Sequence, residues 1–501
     1  MRTKKSIYNF ISDALPYLVL GILSFLRIKF LIKYYGEEVN GYIQLITQVF
    51  AYLSLAEAGF GTAVMYKLYK PLADNDKEKI SSIVVGSKQI FKKIAFVMTI
   101  GSFVCSILIP IFINKGNLSI SFTVSIFLLN SVHYLLEYFL IYPYTTLLQA
   151  DQNQYISNFY RNLTKILFGL LELYLMSLTL NLLLIIGINV IFTLIYVLLV
   201  MKKVKKLYPW LDEKAKPDTS AFKMTKDVVV HKISNLIFTK TDPIILSRYS
   251  LNYVSIYSSY NYILEFLTTI ISKLYNALRS SYCNIVALNK TEDKKYFKIF
   301  LSFSFFIACF CSLTFYTTVN LFVGKVWLDE NNVFNISVVT LFAIIMFGRI
   351  IINPIYVARD SKGLFKETKG FTVLQAITNI VLSIILVKKY QIFGVLLATC
   401  ISQYLILIPS NVYIIYKKIF NVSIFNFIKR LLIGIIFITM LYFVDQSILN
   451  LFILNSKSIV LIIMTLIAFV NFIVLFVLYN IFDKDFMQLT KELFRKIGKR
   501  I

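Results

Sequence analysis

The residues of this sequence that can do chemistry are ionisable side chains set inside long apolar runs. Arg27 lies in the run 15–35, two residues past its middle, so at 1.5 Å per residue it sits about 3 Å from the centre of a spanning helix. Lys29 and Lys33 are closer to the end of that run and can snorkel to the interface. Lys240 occupies the middle of another run, with Asp242 two residues on and Pro243 next. A charge at mid-bilayer costs at least ~2.5 kcal/mol, which only a water-filled cavity, a partner or a bound anion can offset. Two cations at that depth therefore point to a cationic cavity, with Asp242 neutralising Arg27 or Lys240 while it is empty. The competing reading makes Lys240 and Asp242 a structural ion pair. Glu57, Glu137, Glu172, Glu265 and Arg349 complete the intramembrane set. Arg349 shares a helix face with Asn353 beside Pro354, to line the cavity or cap a kinked helix, and His133 and Glu137, four apart, are expected to bond one another.

The composition requires a membrane around these charges. Of 501 residues 58% are hydrophobic and 16% charged, against about a quarter charged in soluble domains. The net charge of +26 from 52 Lys and Arg against 26 Asp and Glu would suggest nucleic acid in a soluble chain. Here anionic headgroups and cytoplasmic retention account for it without nucleic acid. Five scattered cysteines and two histidines, His133 and His231, make neither a disulfide framework nor a metal site. Gly86-Ser87-Lys88 lacks the earlier glycine of an ATP-binding loop, so any driving force must come from an ion gradient, the membrane potential or coupled metabolism.

Apolar stretches of about 20 residues centre near residues 25, 53, 101, 131, 167, 190, 239, 264, 310, 345, 380, 404, 437 and 469. With the amino end placed in the cytoplasm and sides alternating, 40 of the 52 cations fall on inward segments, 7 on outward ones and 5 within spans. Arg161 and Lys165 are counted with the inward loop before the fifth span. That bias is what the positive-inside rule demands. It predicts an all-α polytopic membrane protein with 14 transmembrane helices and both termini cytoplasmic.

Shifting the sequence on itself by 214 residues overlays 30–42 on 244–256 and 72–78 on 286–292, and after a five-residue slip pairs Gln149, Ala150 and Asp151 with Ala358, Arg359 and Asp360. Six helices per copy keep the same orientation, giving two parallel pseudo-symmetric lobes. The division is an N-lobe at 1–203, a basic cytoplasmic linker at 204–226, a C-lobe at 227–420, and 421–501 as two further helices with a basic tail.

Gly41-Tyr42, Glu57-Ala58-Gly59-Phe60-Gly61, Tyr69-Lys70-Pro71-Leu72-Ala73 and Lys77-Glu78-Lys79-Ile80 resemble the polysaccharide-transport (Wzx-type) flippases of the multidrug/oligosaccharidyl-lipid/polysaccharide (MOP) exporter superfamily. The motif-like part covers residues 30–80, and length, helix count and basic character agree along nearly the whole chain. The resemblance implies a multi-pass protein of the bacterial cytoplasmic membrane, a secondary transporter and not an enzyme. It implies a cargo, an undecaprenyl-pyrophosphate-linked oligosaccharide, moved to the outer leaflet for capsule, O-antigen or teichoic-type polymers. Membrane lipids, a polysaccharide polymerase and glycosyltransferases are the partners it implies. The pyrophosphate role carries over to Arg27, Lys240 and Arg349. No cofactor is expected; coupling to Na+ or H+ stays open, with Glu57 and Asp242 as candidate carboxylates. The helix count also fits a lipid II flippase. A membrane glycosyltransferase or polymerase would need an external acidic loop, where the amino half offers only Glu37-Glu38, and a drug:cation antiporter would need an acidic cavity.

Overall fold

The computed structural model describes residues 2–57, 59–220, 226–288, 293–452 and 456–498, with the side chains of 2–14, 226–229, 276–288, 493–494 and 496–498 left aside. The end of the expected linker (221–225) and half of the repeat match at 286–292 lie outside the described residues. Among those described every regular element is helical. The chain divides into two compact units, Met1–Ser258 and Ser259–Ile501.

The first unit comprises α1 (Arg2–Tyr35), α2 (Glu37–Leu53), α3 (Phe60–Asp74), α4 (Lys77–Phe112), α5 (Ile120–Leu136), α6 (Tyr142–Ala150), α7 (Gln154–Ser177), α8 (Leu182–Leu207), α9 (Lys226–Lys240), α10 (Asp242–Ser247) and the start of α11 (Leu251–Leu288). The second holds the rest of α11, then α12 (Asp293–Leu321), α13 (Ile336–Ile351), α14 (Asn353–Ser361), α15 (Phe365–Ser402), α16 (Ile408–Tyr413), α17 (Phe425–Asn450), α18 (Lys457–Phe482) and α19 (Lys484–Gly498). Each of the fourteen apolar centres falls in a helical element. Those near 380 and 404 are separated by Gln391, whose φ of 50° and ψ of −126° break α15 in two.

Among the described residues, nine helical stretches are long and apolar enough to cross a membrane, or ten when Glu37–Glu57 and Phe60–Asp74 are taken as one. Their outer faces carry apolar residues with no protein cover: on α4 these include Phe96, Ile100, Phe103, Ile107 and Ile111. A soluble monomer does not display so continuous a patch; this is a multi-pass membrane protein. Inside the first unit Leu31, Tyr42, Leu45, Phe127 and Ile185 form one core, and Val64, Leu68, Ile83, Leu147 and Val200 another. In the second unit α12 is central, packed by α13, α17, α18 and α19, with Phe306 against Phe472, Tyr479 and Phe486.

The described part of the basic linker is a strap folded onto α3 and α4. Asp218 N–H donates to the Ser82 carbonyl (2.9 Å) and Ser82 Oγ donates to the Lys216 carbonyl (2.7 Å). Asp218 pairs with Lys79 (3.0 Å) and Lys67 (3.7 Å), and Glu213 accepts from Tyr144 (2.8 Å) and Lys88 (3.4 Å). Gly86 permits this approach, since a Cβ there would overlap the Asp218 backbone. Hydrogen bonds from Ser220, with Lys79 and Lys67 beside it, hold the Asp218 carboxyl well below its ordinary range.

Candidate functional site

The first unit encloses a cavity of about 740 Å³ lined from α1, α2, α3, α5 to α9 and the turns between them. One helix face supplies most of its polar wall. On α7 the residues Gln154, Ser157, Asn158, Arg161, Thr164, Lys165 and Glu172 all line it, recurring every three or four positions, so they form a single stripe. From Gln154 to Glu172 that stripe climbs about 27 Å. It also explains why α7 is absent from the nine strongly apolar stretches.

Four cations (Arg27, Arg161, Lys165, Lys232) and three carboxylates (Glu57, Glu137, Glu172) reach the cavity. Arg27 Nε donates to Glu172 Oε1 at 2.8 Å, joining α1 to α7. Arg161 Nη2 donates to Glu137 Oε2 at 3.1 Å, where a π-helical turn (Glu137–Ile141) follows α5. Lys232 Nζ donates to Glu57 Oε2 at 2.8 Å, joining α9 to the turn between α2 and α3. In each pair the carboxylate is the more buried member: side-chain exposure is 32% for Arg27 against 7% for Glu172, 37% for Arg161 against 25% for Glu137, and 41% for Lys232 against 7% for Glu57. The cation is thus the more exposed member of each pair, and with Lys165 the cavity lining carries more positive than negative side chains. Among the described residues Lys165 makes no ion pair.

The Glu57 to Gly61 segment has a local reason for its glycines. Gly59, at φ 87°, ends the turn in a conformation that disfavours a side chain. Gly61 N–H then donates to Glu57 Oε1 at 3.1 Å from the first turn of α3, whose dipole favours the carboxylate. A Cβ on Gly61 would lie 3.0 Å from that oxygen and 3.3 Å from the Tyr142 ring. Aromatic faces complete the wall. Tyr138 stacks on Tyr142 with centroids 4.8 Å apart, His133 lies 3.9 Å from Tyr134, and the Arg161 guanidinium is 5.5 Å from the Tyr196 ring. Rings of this kind, with Asn130, Asn158, Asn189 and Gln149 nearby, suit a hydroxylated guest.

A long helical chain of this length with a polar, cationic cavity in one unit can now be set beside known structures. The lipid II flippase MurJ in an inward closed conformation superposes with a TM-score of 0.67 over 97% of this chain and 100% of that one, at 18% identity. An inward-facing multidrug resistance MATE family transporter of the MOP superfamily gives a TM-score of 0.55 at 14% identity, covering 79% of this chain and 97% of that chain. The outward-facing conformation of such a transporter gives 0.53 at 14% identity, covering 82% and 95%. The chain shares the fold of these transporter structures. No family model and no curated protein matches the sequence.

Within this fold the expected site residues separate. Arg27 and Glu57 line the cavity, but the partner of Arg27 is Glu172 and not Asp242. Lys240 ends α9, half-buried, and Asp242 opens α10, buried, with Tyr257 Oη donating to Asp242 Oδ2 at 2.9 Å; the lining of this cavity includes neither. Arg349 belongs to α13 in the second unit, where its carbonyl accepts from Asn353 Nδ2 at 3.0 Å. Glu137 bonds Arg161, with no His133 bond to it. Arg161 and Lys165, counted with an inward loop from the sequence, stand instead on the cavity stripe of α7. Their signal in the sequence is the polar residue at every third or fourth place from Gln154 to Glu172.

Proposed function

We propose that this chain is a flippase that carries an undecaprenyl-pyrophosphate-linked oligosaccharide repeat unit from the inner to the outer leaflet of a bacterial cytoplasmic membrane, supplying capsule, O-antigen or teichoic-type polymers. The observation that carries the reading is the excess of cations over carboxylates, with the cation the more exposed member of each of three ion pairs, in a tyrosine- and amide-lined cavity of a membrane protein. Arg27, Arg161 and Lys165 are the proposed pyrophosphate contacts. Arg161 and Lys165 are one turn apart, about 6 Å along α7, a spacing that suits two adjacent phosphates. Lys240 and Arg349 stay as proposed contacts of a later state in the cycle. The lipid tail remains in the bilayer while the lobes rock in alternating access.

The cargo's charge helps its export. Moving two negative charges outward across the full potential, negative inside, releases about 4 to 5 kcal/mol per 100 mV. Glu57 and Asp242 are the proposed coupling carboxylates for Na+ or H+. Fourteen crossings with both termini cytoplasmic fit the cation distribution. The stretch Phe365–Ile419 alone has 55 residues, far more than a 30 Å core needs, and its break at Gln391 makes two crossings of it. Parallel pseudo-symmetric lobes are supported at one point: Asn40 Nδ2 donates to Ser255 Oγ at 2.8 Å, and Ser255 is the 214-residue counterpart of Gly41. The bond thus joins Ser255 to the residue next to its sequence equivalent, as expected close to a symmetry axis.

A lipid II cargo is the second reading, favoured by the superposition on MurJ over 97% of the chain, where the MATE transporter covers 79%. Purified protein in liposomes, given fluorescent undecaprenyl-pyrophosphate oligosaccharide or lipid II on one side, decides between them by the rate at which each becomes accessible on the other. Movement of neither, or formation of a new glycosidic bond, would overturn the flippase reading.

A further inference from the structure

We propose that the second unit carries a separate site for the phosphate headgroup of an anionic phospholipid, in a cavity of about 320 Å³ where α12, α17, α18 and α19 converge. Five cations line it, Lys294, Lys298, Lys429, Arg430 and Lys484, against two carboxylates, Asp483 and Asp485. Both carboxylates are already engaged. Arg430 Nε donates to Asp483 Oδ2 at 3.1 Å and its Nη2 to Asp485, while Asp483 Oδ1 accepts from the backbone N–H of Asp485 (3.0 Å) and Phe486 (3.3 Å). Arg430 Nη1 also donates to the Lys298 carbonyl at 3.3 Å, locking the start of α12 to α17. The four lysines make no ion pair among the described residues. Their ammonium groups therefore surround a rigid anchor without being neutralised by it.

The cavity wall also says what kind of anion fits. Phe482 and Ile433 line it, and Phe482 is 60% exposed next to Ile481 at 66%. A charged pocket continuous with an uncovered apolar flank matches an amphiphile, headgroup among the lysines and acyl chain along the flank, better than a free phosphate. Basic pockets between transmembrane helices on the cytoplasmic side take anionic headgroups for this reason. The site is distinct from the α7 cavity, and the proposal holds whatever that cavity carries.

The test uses the purified full-length protein in detergent, titrated with short-chain phosphatidylglycerol, phosphatidylcholine or inorganic phosphate, with bound lipid read by native mass spectrometry. Phosphatidylglycerol should bind, phosphatidylcholine at least tenfold more weakly. Each lysine near such a headgroup contributes about fivefold, so Lys298→Gln with Lys429→Gln and Lys484→Gln should weaken phosphatidylglycerol by more than about tenfold. The corresponding triple arginine variant should keep it. Should the triple glutamine variant fail to fold, Lys429→Gln alone should show the roughly fivefold step. Lys165→Ala, in the other cavity, should leave binding unchanged. Equal binding of the two lipids, unaltered phosphatidylglycerol binding in the glutamine variants, or full displacement of the lipid by millimolar inorganic phosphate would each overturn the proposal.

Discussion

Removing both sides of the Arg27–Glu172 pair should cost less than the two single removals added together. Arg27 Nε and Glu172 Oε1 are 2.8 Å apart, one charge-assisted hydrogen bond between α1 and α7. Bonds to charged groups contribute about 1.5 to 3 kcal/mol. The 32% exposure of Arg27 admits screening and lowers that, to about 1 to 2 kcal/mol of coupling. Glu172→Ala leaves a guanidinium that is 32% exposed without its carboxylate, and Arg27→Ala leaves a carboxylate that is 7% exposed. The second should be the more damaging, because its orphan is the better buried. A domain of 150 to 250 residues shifts by about 2 to 4 °C per kcal/mol, and the shift falls with size, so a chain of 501 residues should lose roughly 1 to 2 °C per kcal/mol. The assay is thermal unfolding of the purified protein in one detergent for the parent, both single variants and the double. The double variant should melt above the value that adding the two single losses gives. Losses that simply add would mean the two side chains do not stabilise one another, and the picture of acids backing the cavity cations would fail.

Lys165→Ala should leave the melting temperature within about 1 °C, since among the described residues it makes no ion pair, and reduce flipping in liposomes at least tenfold, with Lys165→Arg recovering most of the rate. Gly61→Ala places a Cβ against Glu57 Oε1 and Tyr142 and should cost about 1 to 3 kcal/mol as overpacking, read as a lower melting temperature, whereas Gly187→Ala, with open space around it, should cost nothing measurable. Gly86→Ala should lift the strap at 208–220 off α4, seen as faster trypsin cleavage after Lys214. Acid should release the same strap only late: the Asp218 carboxyl is depressed by Ser220, Lys79 and Lys67, so its contribution is complete above the unfolded value near 3.9 and is lost as pH falls through the lower folded one. Hydrogen-exchange protection factors of the strap amides at pH 4.5 equal to those at pH 6 are the expected result.

Helices and their apolar centres could be read from the sequence because each depends on a local run of side chains. The polar stripe of α7 shows where that reading stops. Its Arg161 and Lys165 lower the local hydropathy and so look like loop cations, and only the spacing from Gln154 to Glu172 marks them as one face. Partners were less legible still. Glu172 lies 145 residues from Arg27, and nothing local to either residue specifies the other. The i, i+4 spacing of His133 and Glu137 suggested a bond, but a guanidinium from α7 is a stronger partner for a carboxylate than an imidazole. Arg27 and Glu57 were visible because a charge in an otherwise apolar run has few innocent explanations. The strap was read as a linker because its contacts with Ser82, Gly86 and Lys79 come from a segment more than a hundred residues earlier.

The ion pairs set a limit on how tightly the cavity can hold a cargo. A phosphate that engages Arg27 or Arg161 must displace, or share the cation with, a carboxylate already bonded to it, so much of each new contact is offset by the one lost. Lys165 is different, because a phosphate gains its ammonium without breaking an ion pair. The cavity should therefore capture through Lys165 and seat through the arginines, with a net affinity set by one full contact and two exchanges. The proposed export cycle would need that moderation, because binding that is uniform and strong would hold the cargo at the outer face as firmly as it was taken at the inner one. When the cargo leaves, Glu172 and Glu137 recover their partners, and no unpaired arginine is left to stabilise the loaded state. The paired acids thus favour release by lowering the net affinity, while Lys165 still gains a contact without breaking one.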